Sequence, residues 1–263
     1  MKVIGPAANS GRGPSGSLWG NCPVMDIIED PNVGVITFDD FLTFNPLVSS
    51  NVGYGNGYYS YEDTTSSILQ LATEVNGVAR ILLEAAANEE AAITGGKVAG
   101  FAKIDSSAPK DLWFETRVRF GGITDQAAFI GLAEEACPAN GLLADTTPVM
   151  SKDQVGFTVA IATPAALNAA YAEATTPTIH SAGVQTLVAA TWYKLGMMYD
   201  ARNDYMKWFI NGVQVGTSLD VSATTAFPDG EELTWLFALK TVTGAARTLD
   251  IDWVRVAQLA IYR

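Results

Sequence analysis

Hydrophobic and polar residues alternate along much of the chain with a period of two. In residues 111–120 (DLWFETRVRF), Leu112, Phe114, Thr116, Val118 and Phe120 fall on one face, and Trp113, Glu115, Arg117 and Arg119 on the other. That is the pattern of a half-buried strand. Strands are also expected at 34–44, 127–135, 154–162, 192–200, 205–210, 213–217, 233–241 and 248–259. Residues 77–96 hold the helix formers Ala, Leu and Glu. Turn signals at Asn76-Gly77 and Gly95-Gly96 flank them, so two strands near 78–86 and 90–94 are expected instead. The Ala-rich stretch 163–177 reads as a short helix or a loose loop, and 45–67 as a Gly/Asn/Ser loop carrying exposed tyrosines. Short strands with turn signals about every ten residues predict an all-β fold, an antiparallel jelly-roll β-sandwich over 31–263.

The N-terminal 1–30 reads as an extended arm. Its first 21 residues are rich in Gly, Pro, Ser and Asn and cannot fold alone. Two readings stand: a disordered tail, or an arm that orders against a neighbouring subunit through Trp19 and 24–28.

Residues 205–217 (YMKWFINGVQVGT) form a predicted hairpin, because Asn211-Gly212 suits a type I′ turn. Register across that turn pairs Ile210 with Val213, Trp208 with Val215 and Met206 with Thr217, which puts Trp208 in the core. The opposite face carries Tyr205, Lys207, Phe209 and Gln214. It is expected to meet a neighbouring subunit rather than a sugar.

Composition narrows the partners. The 263 residues are 48% hydrophobic and 17% charged, with a net charge of −12. Nucleic-acid binding needs clustered Lys and Arg, so no nucleic acid is expected as a partner. No membrane partner is expected either: no stretch approaches the roughly 18 apolar residues of a spanning helix. The start of the chain lacks the apolar core of a secretory signal, so synthesis in the cytoplasm is expected. Cys22 and Cys137 lack metal-ligand spacing and read as free thiols.

Candidate chemistry is sparse. Glycoside hydrolysis needs two carboxylates flanking one bond, and the Glu-x-Asp-x-x-Glu string of laminarinase-like enzymes does not occur. Glu134 and Glu135 fall on opposite faces of a strand, as do Asp39 and Asp40. Asp250 and Asp252 share a face, read as solvent-facing edge residues with Ca²⁺ as the minor alternative. The run 200–204 (DARND) reads as a polar connection. His180, the single histidine, has no nucleophile elbow beside it. No catalytic residue, metal ligand or cofactor is assigned. The candidate contact residues are Trp19, Tyr54, Tyr58, Tyr59, Tyr205 and Phe209.

The series KDLWFETRVRF, FIGLAEE, TWYKLGMMYDARNDYMKWFINGVQVGT, EELTWLFALKTV and LDIDWVRVAQ, within Lys110 to Gln258, resembles a group of tailed-phage virion proteins. Their fold is a concanavalin A-like, laminin-G-like sandwich. The resemblance implies a cement or decoration protein on the capsid exterior, bound to the major capsid protein and to other copies of itself, with a trimer as one arrangement. It carries over no sugar-binding or metal residues. A glycan-binding virion module, using Tyr54, Tyr58 and Tyr59, is the alternative.

Overall fold

The computed structural model describes residues 11–42, 53–55, 58–70, 77–96, 102–144, 152–174 and 176–260. Two short helices come first, α1 (Gly16–Trp19) and α2 (Val24–Glu29). The strands then follow in chain order: β1 (Gly34–Asp39), β2 (Gly53–Gly55), β3 (Tyr58–Glu62), β4 (Ser67–Gln70), β5 (Ala79–Leu83), β6 (Glu90–Thr94) and β7 (Ala102–Lys103). Next are β8 (Leu112–Phe120), β9 (Ala127–Glu134), β10 (Gln154–Ala160), β11 (Thr163–Glu173) and β12 (Thr176–Thr186). The chain closes with β13 (Trp192–Asp200), β14 (Tyr205–Ile210), β15 (Val213–Asp220), β16 (Glu232–Lys240) and β17 (Arg247–Leu259).

These strands make two antiparallel sheets. The first runs β15-β14-β13-β8-β17-β5-β4, with β1 also on β17. The second runs β12-β11-β10-β9-β16-β6-β3-β2, with β7 also on β16. The inward sides of both fill one core, with Phe114, Val118 and Phe120 from β8 meeting Phe157 of β10, Trp208 of β14 and Phe237 of β16. This is the expected jelly-roll sandwich, and the two strands expected in 77–96 are β5 and β6.

Three expectations change. Residues 163–173 are neither helix nor loop but strand β11, held between β10 and β12. Its Ala169, Ala170 and Ala172 are all buried, so burial on both faces overrides the helix propensity of alanine. Part of the expected 45–67 loop is strand, in β2, β3 and the start of β4. The described part of the arm, from Gly11 onward, is not a disordered tail, and it is helical rather than extended. It folds back as α1 and α2 over the outer face of the first sheet, where Leu18, Trp19, Cys22 and Ile27 cluster with Trp113, Ala257 and Leu259. That face is therefore not half-exposed: Trp113 and Glu115 are buried under the arm.

The hairpin forms as expected at its tip. Asn211 and Gly212 both have positive φ, 51° and 76°, and Ile210 pairs with Val213 and Trp208 with Val215. Further along, Met206 pairs with Leu219 rather than Thr217. The slip lies beside Gly216, whose φ of 65° marks an irregularity that only glycine takes at low cost. Trp208 is buried in the core, its indole N–H donating to Gly156 O at 3.1 Å. Val213 at the tip is exposed.

Candidate functional site

The outer face of the first sheet carries a ladder of charges. Strand alternation puts Glu115, Arg117 and Arg119 of β8 on that face, beside Asp250 and Asp252 of β17. Asp250 accepts from Arg80 at 2.6 and 2.9 Å and from Arg119 at 2.9 and 2.7 Å. Asp252 accepts from Arg117 at 2.6 Å, and from Nε of Arg12 at 3.0 and 2.7 Å. The guanidinium carbons of Arg117 and Arg119 lie 4.2 and 4.5 Å from the Trp192 ring centroid. Asp250 and Asp252 are thus buried ion-pair centres, not solvent-facing edge residues. The reason is topological: β17 is flanked by β8 on one side and by β5 and β1 on the other.

The arm is tied to this ladder through polar contacts. Ser15 N–H and the Trp19 indole N–H both donate to Glu115 Oε2, at 2.9 and 2.8 Å. Lys194 donates to Gly13 O at 3.1 Å, and Trp253 donates to Arg12 O at 2.8 Å. Ser17 bonds Gly212 O at the hairpin tip. Burial pushes the Glu115 carboxyl's pKa up, and the hydrogen bonds from Ser15 and Trp19 offset this only in part.

Beyond Trp19 the arm ends over a polar cleft of about 360 Å³. Asn21 of the arm, Asp111 and Trp113 at the start of β8, and Met198 and residues 200–203 at the β13–β14 turn line it. Three bonds hold these residues in place. Ala201 N–H donates to Asp111 Oδ1 at 2.8 Å, and Lys207 and Asn203 donate to Asp200 Oδ2 at 2.7 and 2.9 Å. The Asn203 backbone N–H adds a further bond to the Asp200 carboxyl, while the buried indole N–H of Trp113 makes no hydrogen bond among the described residues. Burial acts to raise the Asp200 carboxyl's pKa, but the bonds from Lys207 and Asn203 outweigh it and hold it below the usual carboxylate value. The cleft thus offers ionised acceptors beside amide and guanidinium donors, within the size range of small-molecule sites, roughly 300–1,000 Å³.

The contact residues expected from the sequence do not assemble into one surface. Trp19 is not an outward anchor; it is buried by the chain's own sheet. Phe209 is half-buried and packs against the same arm cluster, so the arm already occupies that side of the hairpin. Tyr205 is exposed, as expected. Tyr58 points inward, 6.2 Å from the Phe41 ring and 6.1 Å from Trp235, with its hydroxyl on Asp39. Tyr59 is buried on the opposite face of β3. Consecutive strand residues cannot share a platform, so Tyr58 and Tyr59 do not form the expected aromatic surface. Tyr54 pairs with Tyr59 through the backbone, and its side chain lies outside the described residues.

The remaining polar candidates have structural partners. Glu134 accepts from Lys152 at 2.6 Å and from Asp153 N–H at 3.2 Å. His180 lies on β12, its Nε2 2.7 Å from Thr217 O and its ring stacked on Trp208 at 4.8 Å. Cys22 and Cys137 are free and buried. Among the described residues no cluster of three or more His, Cys, Asp or Glu is placed to hold a metal ion. No described helix is long and apolar enough to cross a membrane. The sequence reading passed over the cleft because Asn21, Asp111 and 200–203 are distant in the chain. The run DARND was the one visible signal.

No protein family matches the chain, and no curated protein sequence matches it. Solved structures do. A protein of unknown function from Shewanella oneidensis MR-1 is similar over 97% of this chain and 99% of its own, at 14% identity and a TM-score of 0.57. Peanut lectin is similar over 86% of this chain and 97% of its own, at 13% identity and a TM-score of 0.58. An endo-β-1,4-glucuronan lyase from the fungus Trichoderma reesei is similar over 80% of this chain and 94% of its own, at 12% identity and a TM-score of 0.54. The chain therefore has the concanavalin A-like, lectin-type sandwich fold, which lectins and enzymes both use. At these identities the likeness is one of fold.

Proposed function

We propose that the protein is a non-catalytic carbohydrate-binding module whose site is the cleft between Asn21, Asp111, Trp113 and the 200–203 turn. The observation that carries this is the cleft itself, which sets the carboxylates of Asp111 and Asp200 beside Asn21, Arg202 and Asn203. Sugar hydroxyls donate to carboxylates and accept from amides and guanidinium groups, so a polyhydroxylated ring satisfies both sets at once. The two carboxylates are balanced by Arg202 in the cleft and by Lys207 on Asp200, which favours a neutral glycan over an acidic one. The fold, shared with peanut lectin and the Emp47p carbohydrate recognition domain, is compatible with this reading. A glycan array followed by calorimetry tests it. Asn21→Ala and Arg202→Ala, both at exposed positions, are each expected to weaken binding about tenfold, the loss of one good hydrogen bond. Glycan binding unchanged in both variants, or no glycan bound, rejects the site.

A second reading is a structural virion protein, made in the host cytoplasm and bound to the capsid exterior and to its own copies. What favours it is a set of exposed large apolar residues on α2, on β1 and shortly beyond it: Met25, Ile28, Val35, Phe38 and Leu42. Scattered exposed apolar residues are ordinary, but several large ones close together in the chain favour a protein contact. On this reading the protein cosediments with phage heads and Val35→Lys abolishes that; cosedimentation indifferent to Val35→Lys counts against it.

A further inference from the structure

A second pocket, of about 240 Å³, lies at the other end of the arm. Arg12 of the arm, Phe38 and Asp40 at the end of β1, and Asp252, Trp253 and Arg255 of β17 line it. Arg255 is out of keeping with the rest of this charged face. Arg12, Arg80, Arg117 and Arg119 are each paired to a carboxylate. Arg255 has no hydrogen bond and no ion pair among the described residues, and its Nε is buried. Its guanidinium is held between two rings, 4.8 Å from the Phe38 centroid and 5.4 Å from the Trp19 centroid. Cation–π contact orients a guanidinium but does not supply the acceptors its N–H groups lost on burial.

The charges around it define what fits. Arg12 and Arg117 both pair with Asp252, which is thereby committed to two guanidinium groups. Buried Glu115 acts on Arg255 through space but does not hydrogen-bond it: its Oε2 bonds the arm and its Oε1 has no partner among the described residues. Asp40 on the rim bears the opposite sign and accepts from Leu42 N–H at 3.3 Å. The walls beside Arg255 are apolar: Phe38, Trp253 and Pro14.

We propose that this pocket is a second binding site, independent of the cleft, which takes a small carboxylate carried on an apolar body. The carboxylate pairs with the Arg255 fork, and the body lies against Phe38 and Trp253. A planar two-oxygen anion matches the guanidinium geometry, which a lysine ammonium would not offer. Two sources present this chemistry, the C-terminal carboxylate of a peptide ending in an apolar residue and the carboxylate of an acid sugar, whose ring can lay its C–H face on an aromatic side chain.

The test is a titration of the full chain with benzoate, monitored by NMR of the Trp253 and Trp19 indole N–H groups and by thermal shift. N-acetylphenylalanine and glucuronate serve as the arms that separate the two sources. Benzoate is expected to bind and to raise the melting temperature. Arg255→Gln should weaken it at least ~10-fold, as expected for loss of a charge-assisted pair, and Arg255→Lys should fall between. Asp40→Asn should tighten it roughly threefold by removing a like charge from the rim. That gain cannot come from damage to the fold. Tighter binding of N-acetylphenylalanine assigns the peptide source, and tighter binding of glucuronate the sugar. No Arg255-dependent shift with any of the three carboxylates, or an Asp40→Asn variant that binds no better, overturns the proposal.

Discussion

Glu62 shows how one buried side chain sets a pH dependence. It is 5% exposed, with Oε1 lacking a partner, and burial raises its pKa from 4.5 to about 7 despite a hydrogen bond from Ile68 N–H. Between these values the unfolded chain has lost the proton that the folded chain keeps. Stability contributed by this group is therefore complete below pH 4.5 and falls as pH rises to about 7. Glu62→Gln keeps an acceptor for Ile68 and removes the titration. The variant should be more stable than the parent at pH 8, by on the order of 3 kcal/mol, and equal to it at pH 4. Urea unfolding at the two pH values measures this, and equal stability at both is the contrary result. The sequence hinted at none of this, because 45–67 reads as a loop, and a glutamate there reads as solvent-facing until its neighbours are known.

At the scale of the element, the arm behaves as a third layer on the first sheet. Its composition forbids independent folding, and it is ordered only by what it covers. Leu18 shows how close the fit is: a Cβ built on Gly196 would come within 2.5 Å of Leu18 Cδ2. Glu115 is the polar anchor, since Ser15 and Trp19 both end on its Oε2. Glu115→Ala is expected to loosen the arm by roughly 2–4 kcal/mol, the loss of two hydrogen bonds to a charged group. Amide exchange at Leu18 and Trp19 should speed up while the β10 and β16 amides do not change. Uniformly faster exchange would mean that Glu115 supports the whole sandwich instead. Trp19 and residues 24–28 were recognisable as apolar anchors: Trp19, Val24 and Ile27 pack on the chain's own outer sheet, while Met25 and Ile28 stay exposed.

For the molecule as a whole, connectivity places the last strand in the middle. β17 pairs with β8, β5 and β1, so the first sheet cannot close until residues 247–259 arrive. Contacts this distant in sequence slow folding. Refolding is expected on the scale of about milliseconds to seconds or slower, and a chain truncated before Arg247 should show no cooperative unfolding transition by calorimetry. A sharp transition in the truncated chain would show that the two sheets are stable without their common strand. The same connectivity brings Asp250 and Asp252 to the first sheet's interior strand, where arginines meet them from β5, β8 and the arm.

By itself the sequence determined most of the core strands though not β2, β3, β11 or β12, and with them the hairpin tip, the inward side of Trp208 and the sandwich fold. All of these follow from local quantities: a period of two, a turn dipeptide and the parity of positions around it. Tertiary structure alone decided which outward faces meet water. The arm lies over one of them, so Glu115 and Trp113, polar or amphipathic residues on the nominally exposed face, became buried. It also decided both pockets, because Asn21, Asp111 and the 200–203 turn, and likewise Arg12, Phe38 and Arg255, come together only through pairings and packing that join distant parts of the chain. Alternation records which side of a strand a residue takes, but not what lies opposite that side.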